Sequence, residues 1–183
     1  MDRASTLALL HEYTKSESLR KHALSVEIAM RAYAKKFSAD EEEWGITGLI
    51  HDFDYEMYPT LPEHPQKGSV ILKEKGYSEE VRTAILGHAS FTGVARESLM
   101  AKALFACDEL CGFVVACTLV RPNKKIEGME VSSVKKKLKD KAFARTVSRE
   151  EIAQGASELG LSLDEHIQFI IDAMKAKSEE LGM

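Results

Sequence analysis

The stretch from Ala103 to Val120, "ALFACDELCGFVVACTLV", is apolar along most of its length yet carries Asp108 and Glu109 near its middle. A run of this length either crosses a bilayer or lies buried inside a protein. Two adjacent carboxylates at mid-depth are costly in lipid, so the run reads as the buried helix of a soluble protein. Its three cysteines, Cys107, Cys111 and Cys117, are odd in number and confined to this one segment. That pattern suits reduced thiols packed in a core, and a cytoplasmic setting. The opening residues, "MDRASTLALLHEY", are too short and too polar to read as a signal peptide.

The rest of the chain repeats the helical theme. In "SESLRKHALSVEIAMRAYAKKF" the residues Leu19, Ala23, Val26, Met30, Tyr33 and Phe37 recur at steps of four and three, a single apolar stripe with His22 in or beside it. "SADE", from Ser38 to Glu41, fits a capping box that opens a second helix running into "WGITGLIHD". Pro59, Pro62 and Pro65 mark a loop, Pro65 can start a further helix, and Gly76 ends it. Ser78 caps the next helix, where Val81, Ala84, Ile85 and His88 share the buried face. Gly93 sits in the loop that follows and is expected to let that loop approach the functional site. The apolar run then forms a long helix from about Ser98 to Leu119. Three more helical segments follow "RPNKK", with "SREE" and "SLDE" as capping boxes. No alternating run supports a strand, so the expectation is an all-α protein, a single domain over residues 1–183.

With 44% apolar and 30% charged residues and a net charge of -4, the chain has neither the composition of a disordered protein nor the charge of a dedicated nucleic-acid binder. The basic stretch "KKIEGMEVSSVKKKLKDK" is interspersed with acids and reads as a solvated helix face. His11 and His166 receive no role.

Helical geometry turns five polar residues inward: His22, His51, Asp52, His88 and Asp108. A lone histidine on an apolar face is ordinarily a hydrogen-bonded core residue. Asp108 is harder to dismiss, because its helical neighbours Ala101, Leu104, Phe105, Cys111, Gly112 and Val115 are all apolar or small. An unpaired carboxylate there costs several kcal/mol, and a divalent cation shared with imidazoles removes that cost. Imidazole and carboxylate together suit iron, manganese, zinc, nickel or cobalt and are poor for calcium. His51 and Asp52 point about 100° apart on a helix, so both can ligate only where that helix ends.

In order, His22, His51-Asp52 and Asp108 resemble the signature of the HD-domain superfamily of metal-dependent phosphohydrolases. The segments "HALSVEIAMRAYAKKF", "GLIHDFDYE", "EHPQKGSVILKEKGY", "VRTAILGHAS" and "ALFACDEL" follow in that family's order over about residues 18–120, leaving C-terminal helices over about 121–183. The resemblance implies a helical HD-domain fold with His22, His51, Asp52 and Asp108 as metal ligands. His64 and His88 occupy the places of the two extra histidines in the dinuclear branch, which includes the bacterial symmetrical diadenosine tetraphosphatases. By that likeness Asp52 bridges two ions. The chain departs from those enzymes in "HDFDYE" and in its C-terminal helices, and is similar in this to the small stand-alone HDIG-type proteins.

The activity implied is hydrolysis of a phosphate ester or anhydride in a small phosphorylated substrate, a nucleotide above all. One or two divalent ions activate water, and Asp52 or Asp54 accepts its proton. Lys21, Lys67, Arg121 and Lys124 are the expected substrate contacts, each close in sequence to a ligand or to the end of its helix. Neither a membrane nor a nucleic acid is expected as partner. Two other classes remain open: a di-iron oxygenase on the same cage, and a non-catalytic nucleotide-binding sensor.

Overall fold

In the computed structural model, which describes residues 1–183, the chain is all helical: α1 (Arg3–Tyr13), α2 (Glu17–Phe37), α3 (Glu41–Ile50), α4 (Glu63–Glu74), α5 (Glu79–His88), α6 (Leu99–Leu119), α7 (Val131–Lys139), α8 (Arg149–Glu158), α9 (Leu163–Lys175) and the single turn α10 (Ser178–Leu181). No strand occurs. No helix is long and apolar enough to cross a membrane.

The helix starts are set by side chains that accept the free backbone N–H groups of a first turn. Ser16, Ser78, Ser98 and Ser148 each accept from the residue three places on, as do Asp2 and Asp40. Ser162 and Glu165 form a reciprocal capping box. At "SREE" the box is only half made, since Glu151 accepts from the Ser90 hydroxyl instead of the Ser148 backbone, and the capping expectation fails at "SADE". Ser38 closes α2 in the left-handed region (φ 54°), and Asp40 caps α3 by accepting from the Glu43 N–H at 2.9 Å. The chain needs Ser38 and Ala39 to reverse direction, which leaves the cap to the acid. Helical dihedrals in α4 begin at Pro65 as expected, because His64 just before it is extended (ψ 137°). Past α6 there are four helical segments rather than three, α10 being too short to leave a periodic signal.

The helix α6 runs through the centre, with Leu104, Phe113, Val114 and all three cysteines buried and the thiols free. Around it a continuous apolar cluster runs from Leu9 to Met183 and draws on the helices either side of Arg121. The antiparallel neighbours α2 and α3 approach so closely that a Cβ on Gly48 would stand 2.9 Å from the Val26 carbonyl oxygen and 2.9 Å from the Met30 Cγ. Glu27, buried on α2, is clasped by Arg3 of α1 at 2.6 Å and by Arg31 at 2.9 Å. These contacts hold α1, α2 and α3 as one block, and its lower edge is the end of α3 at His51.

Candidate metal centre

Four helices deliver the polar residues to one place. His22 comes from the first turns of α2, His51 caps the C-terminus of α3, His88 ends α5, and Asp108 lies mid-way along α6. Asp52 follows His51 in the turn beyond α3, where the helix has stopped and both side chains face the same space. His64 enters from the extended residue before Pro65. All six expected ligands are thus brought together.

They form two groups that share Asp52. In the first, His22 Nε2 stands 3.0 Å from Asp108 Oδ1 and 3.3 Å from His51 Nε2, while Asp52 Oδ2 is 3.6 Å from His51 Nε2. In the second, Asp52 Oδ1 is 3.2 Å from His64 Nε2 and 3.1 Å from His88 Nε2. The ligand atoms within each group all lie within 4.8 Å of one another. Two donors each about 2.1 Å from one ion, at about 90–110°, stand roughly 3.0–3.4 Å apart, so the closest spacings are those of a coordination shell.

The tautomers point the same way. His51 Nδ1 sits 2.8 Å from the Gly48 carbonyl, and His88 Nδ1 faces the Ile85 carbonyl. A carbonyl can only accept, so each Nδ1 carries the proton and each neutral ring turns the lone pair of Nε2 inward. His64 Nδ1–H donates to Asp54 Oδ1 at 2.8 Å with the same result. Asp52 Oδ1 is buried and makes no hydrogen bond, although two imidazole nitrogens lie beside it. Lone pairs converging on a buried carboxylate oxygen repel one another unless a cation lies between them. The residues present therefore fit one or two divalent ions.

Without such an ion the site draws protons instead. Burial disfavours charge on His64, but the carboxylates of Asp52 and Asp54 overcome it and push its pKa up to about 10. His51 and His88 are raised against burial in the same way. Burial also opposes charge on Asp52 and Asp108, yet the imidazoles hold both below the usual carboxylate range. Beside the centre, burial and then the charge of Asp108 push Glu109 up to about 7. The side chains of His22, Asp52 and Asp108 remain 19%, 22% and 20% exposed, and they mark the side from which a ligand can enter.

Asp54, expected as a proton acceptor, stands elsewhere. Its Oδ1 takes the His64 N–H and its Oδ2 takes the backbone N–H of Gly68 at 2.8 Å. With both oxygens engaged and the side chain 1% exposed, it braces His64 from behind. Of the expected substrate contacts, Arg121 and Lys124 are not brought to the site. Arg121 lies thirteen residues beyond Asp108, about 20 Å along the helical direction, and donates to the Lys125 and Glu127 carbonyls at 2.7 and 2.8 Å. Ending the same helix does not put a residue near the middle of it. Lys21 directs its Nζ toward Gly182. Lys67, one turn past His64, pairs with Glu63 and lies 4.5 Å over the Tyr58 ring. Gly93 adopts φ 70° with open space around it, so a turn and not a close approach explains it.

The bracing groups that sequence reasoning missed are the Gly48 and Ile85 carbonyls and the Gly68 N–H. A sequence signal exists for the two carbonyls. A histidine at the end of a helix has the unpaired carbonyl three residues back within reach. Tyr55 was also missed; its ring meets His64 edge-on at 5.3 Å.

No protein-family model, curated protein or solved structure matches the chain. The chemistry of the centre therefore has to be read from its own side chains.

Proposed function

We propose that the protein is a metal-dependent phosphohydrolase that cleaves a phosphate ester or anhydride, with nucleotides as its substrate class. The likeness of its His, His-Asp, Asp order to the HD-domain superfamily points to that chemistry. The observation that carries the reading is Asp52, whose two oxygens each face a separate group of imidazoles. His22, His51, Asp52 and Asp108 would hold one ion; Asp52, His64 and His88 would hold a second. When bound, such ions lower the pKa of a water and neutralise charge on phosphoryl oxygens.

The chain's own residues do the rest. The Gly48 and Ile85 carbonyls and Asp54 hold His51, His88 and His64 in the tautomer that presents Nε2. The apolar packing of α6 around Asp108 excludes water from the inner side, so a phosphate meets the centre only from the partly exposed edge of His22, Asp52 and Asp108. With one oxygen toward each group, Asp52 would serve first as a ligand to both ions and only secondarily as acceptor of a water proton, the ions doing most of the activation. No serine or cysteine nucleophile is required, and the three thiols lie buried in the core.

The test is release of phosphate or nucleotide from mononucleotides, nucleoside triphosphates and dinucleoside polyphosphates by protein reconstituted with iron, manganese, zinc, nickel or cobalt. Turnover that disappears in Asp52→Asn supports the reading. Oxygen uptake by the iron form without phosphate release supports the oxygenase instead. Nucleotide binding without turnover under every metal supports a sensor.

A further inference from the structure

From Arg121 to Arg149 the chain carries ten lysines and arginines against three carboxylates, while all other residues together carry fifteen against twenty-six. A protein of net charge -4 thus concentrates a net +7 in one stretch and leaves -11 elsewhere. Intramolecular pairing accounts for little of it. Lys135 pairs with Asp164 at 2.7 Å, and Lys137 lies 4.7 Å over the Phe143 ring. Arg121 and Arg149 are engaged with backbone carbonyls. Lys124, Lys125, Lys136, Lys139, Lys141 and Arg145 are all exposed and have no ion-pair partner.

All six belong to the stretch that joins α6 to α8 and packs back on the C-terminal half of α6, so the exposed side of that stretch is the basic face. The helix α7 turns Val131, Val134 and Leu138 to the core. The segment after it folds back onto α6, where Phe143 meets Phe113 edge-on at 5.5 Å and Arg149 lies over the Phe113 ring at 5.0 Å. Beyond Phe113, α6 ends in Leu119 and Val120, which are 45% and 57% exposed, and the Lys124–Lys125 turn comes next. Lys124 holds a left-handed backbone (φ 51°) that glycine or asparagine adopts with less strain. A lysine at that point keeps an ammonium on the tip of the turn.

The make-up of the face selects among polyanions. Five of its six unpaired cations are lysines, which neutralise phosphates without the forked geometry by which arginine reads nucleic acids. Its one aromatic ring, Phe143, is half-buried beneath Lys137, so no platform is left for stacking bases. The adjoining exposed leucine and valine have no use on a phosphate backbone and suit the boundary layer of a bilayer.

We propose that this face docks the protein on an anionic phospholipid surface, with the six cations on headgroup phosphates and Leu119 and Val120 entering the interfacial layer. Leu119 lies eleven residues past Asp108, about 16 Å along α6, so docking and the metal centre are separable, and docking does not depend on the phosphohydrolase reading.

The test is co-sedimentation of the full chain with vesicles of phosphatidylcholine alone and of phosphatidylcholine with about 30% phosphatidylserine. Binding is expected to the second kind only, and is expected to be lost in about 0.5 M salt. At about fivefold per lysine, Lys136→Glu/Lys139→Glu/Lys141→Glu should weaken it by a factor of at least about a hundred, with an unchanged melting temperature. Leu119→Ser/Val120→Ser should weaken it several-fold. Equal binding to both vesicles, no binding to either, or undiminished binding by the lysine variant overturns the proposal. Tighter binding to duplex RNA or DNA than to anionic vesicles at equal phosphate overturns it in favour of a nucleic-acid partner.

Discussion

Asp54 accepts the Nδ1–H of His64 at 2.8 Å, and this contact decides which nitrogen of His64 faces Asp52. The carboxylate is fixed in turn by the Gly68 N–H. Asp54→Asn can present its amide to His64 and lose the preference for that tautomer. Metal affinity of the group formed by Asp52, His64 and His88 should then fall about 10–100-fold with the fold intact. Gly68→Ala should do likewise, since its Cβ would stand 2.6 Å from the Asp54 carboxyl carbon. Metal titration followed by calorimetry reads both, and unchanged affinity would deny Asp54 its bracing role.

Protons compete with metal at the same atoms. The metal-free His64 has its pKa pushed up to about 10, so near neutrality a cation must displace a proton from it. Apparent affinity for this group should therefore rise with pH, by about tenfold per unit between pH 6 and 8 for one displaced proton. Calorimetric titrations in buffers of different ionisation enthalpy count the protons released. Affinity independent of pH would contradict this.

Much of the centre was legible because its residues are out of place. Asp108 stands in an apolar run, and His22 and His88 lie on apolar faces, so each asks for a partner. The end of α3 at His51 followed from the need to aim His51 and Asp52 at one point. Less legible were the backbone groups: the Gly48 and Ile85 carbonyls are signalled only indirectly, by a histidine three residues on at a helix end, and the N–H of Gly68 is found only through Asp54. Arg121 and Lys124 lie past the end of α6, because nearness in sequence to a helix end is not nearness to Asp108 in its middle. Ser38 was misjudged because a turn between α2 and α3 consumes it.

His166 had no role in the sequence and has one in the core. Its Nε2–H donates to the Ala106 carbonyl at 2.8 Å, and its Nδ1 accepts from the Tyr33 hydroxyl at 2.6 Å. Burial pushes its pKa down to about 4. The unfolded chain, with an ordinary value near 6.5, binds a proton that the folded chain refuses. Stability linked to this group is complete above about pH 6.5 and declines as pH falls through 4, by roughly 3 kcal/mol in all. Urea unfolding of wild type and His166→Gln across pH 4–7 should show a shallower acid decline in the variant. Parallel declines would contradict the assignment.

Gly48 tests the block of α2 and α3 that places His51. A Cβ there meets the Val26 carbonyl oxygen at 2.9 Å and the Glu27 nitrogen at 3.0 Å, backbone atoms that cannot rotate away. Gly48→Ala should cost about 1–3 kcal/mol in urea unfolding. A variant as stable as wild type would mean that the two helices part without penalty.

The central claim is that Asp52 joins two metal-binding groups, and the metal content of reconstituted protein tests it most directly. Elemental analysis should find about two equivalents in the wild type and about one in His88→Ala, because His88 belongs to one group only. A wild type that takes up no metal, or whose content His88→Ala leaves unchanged, would contradict the account.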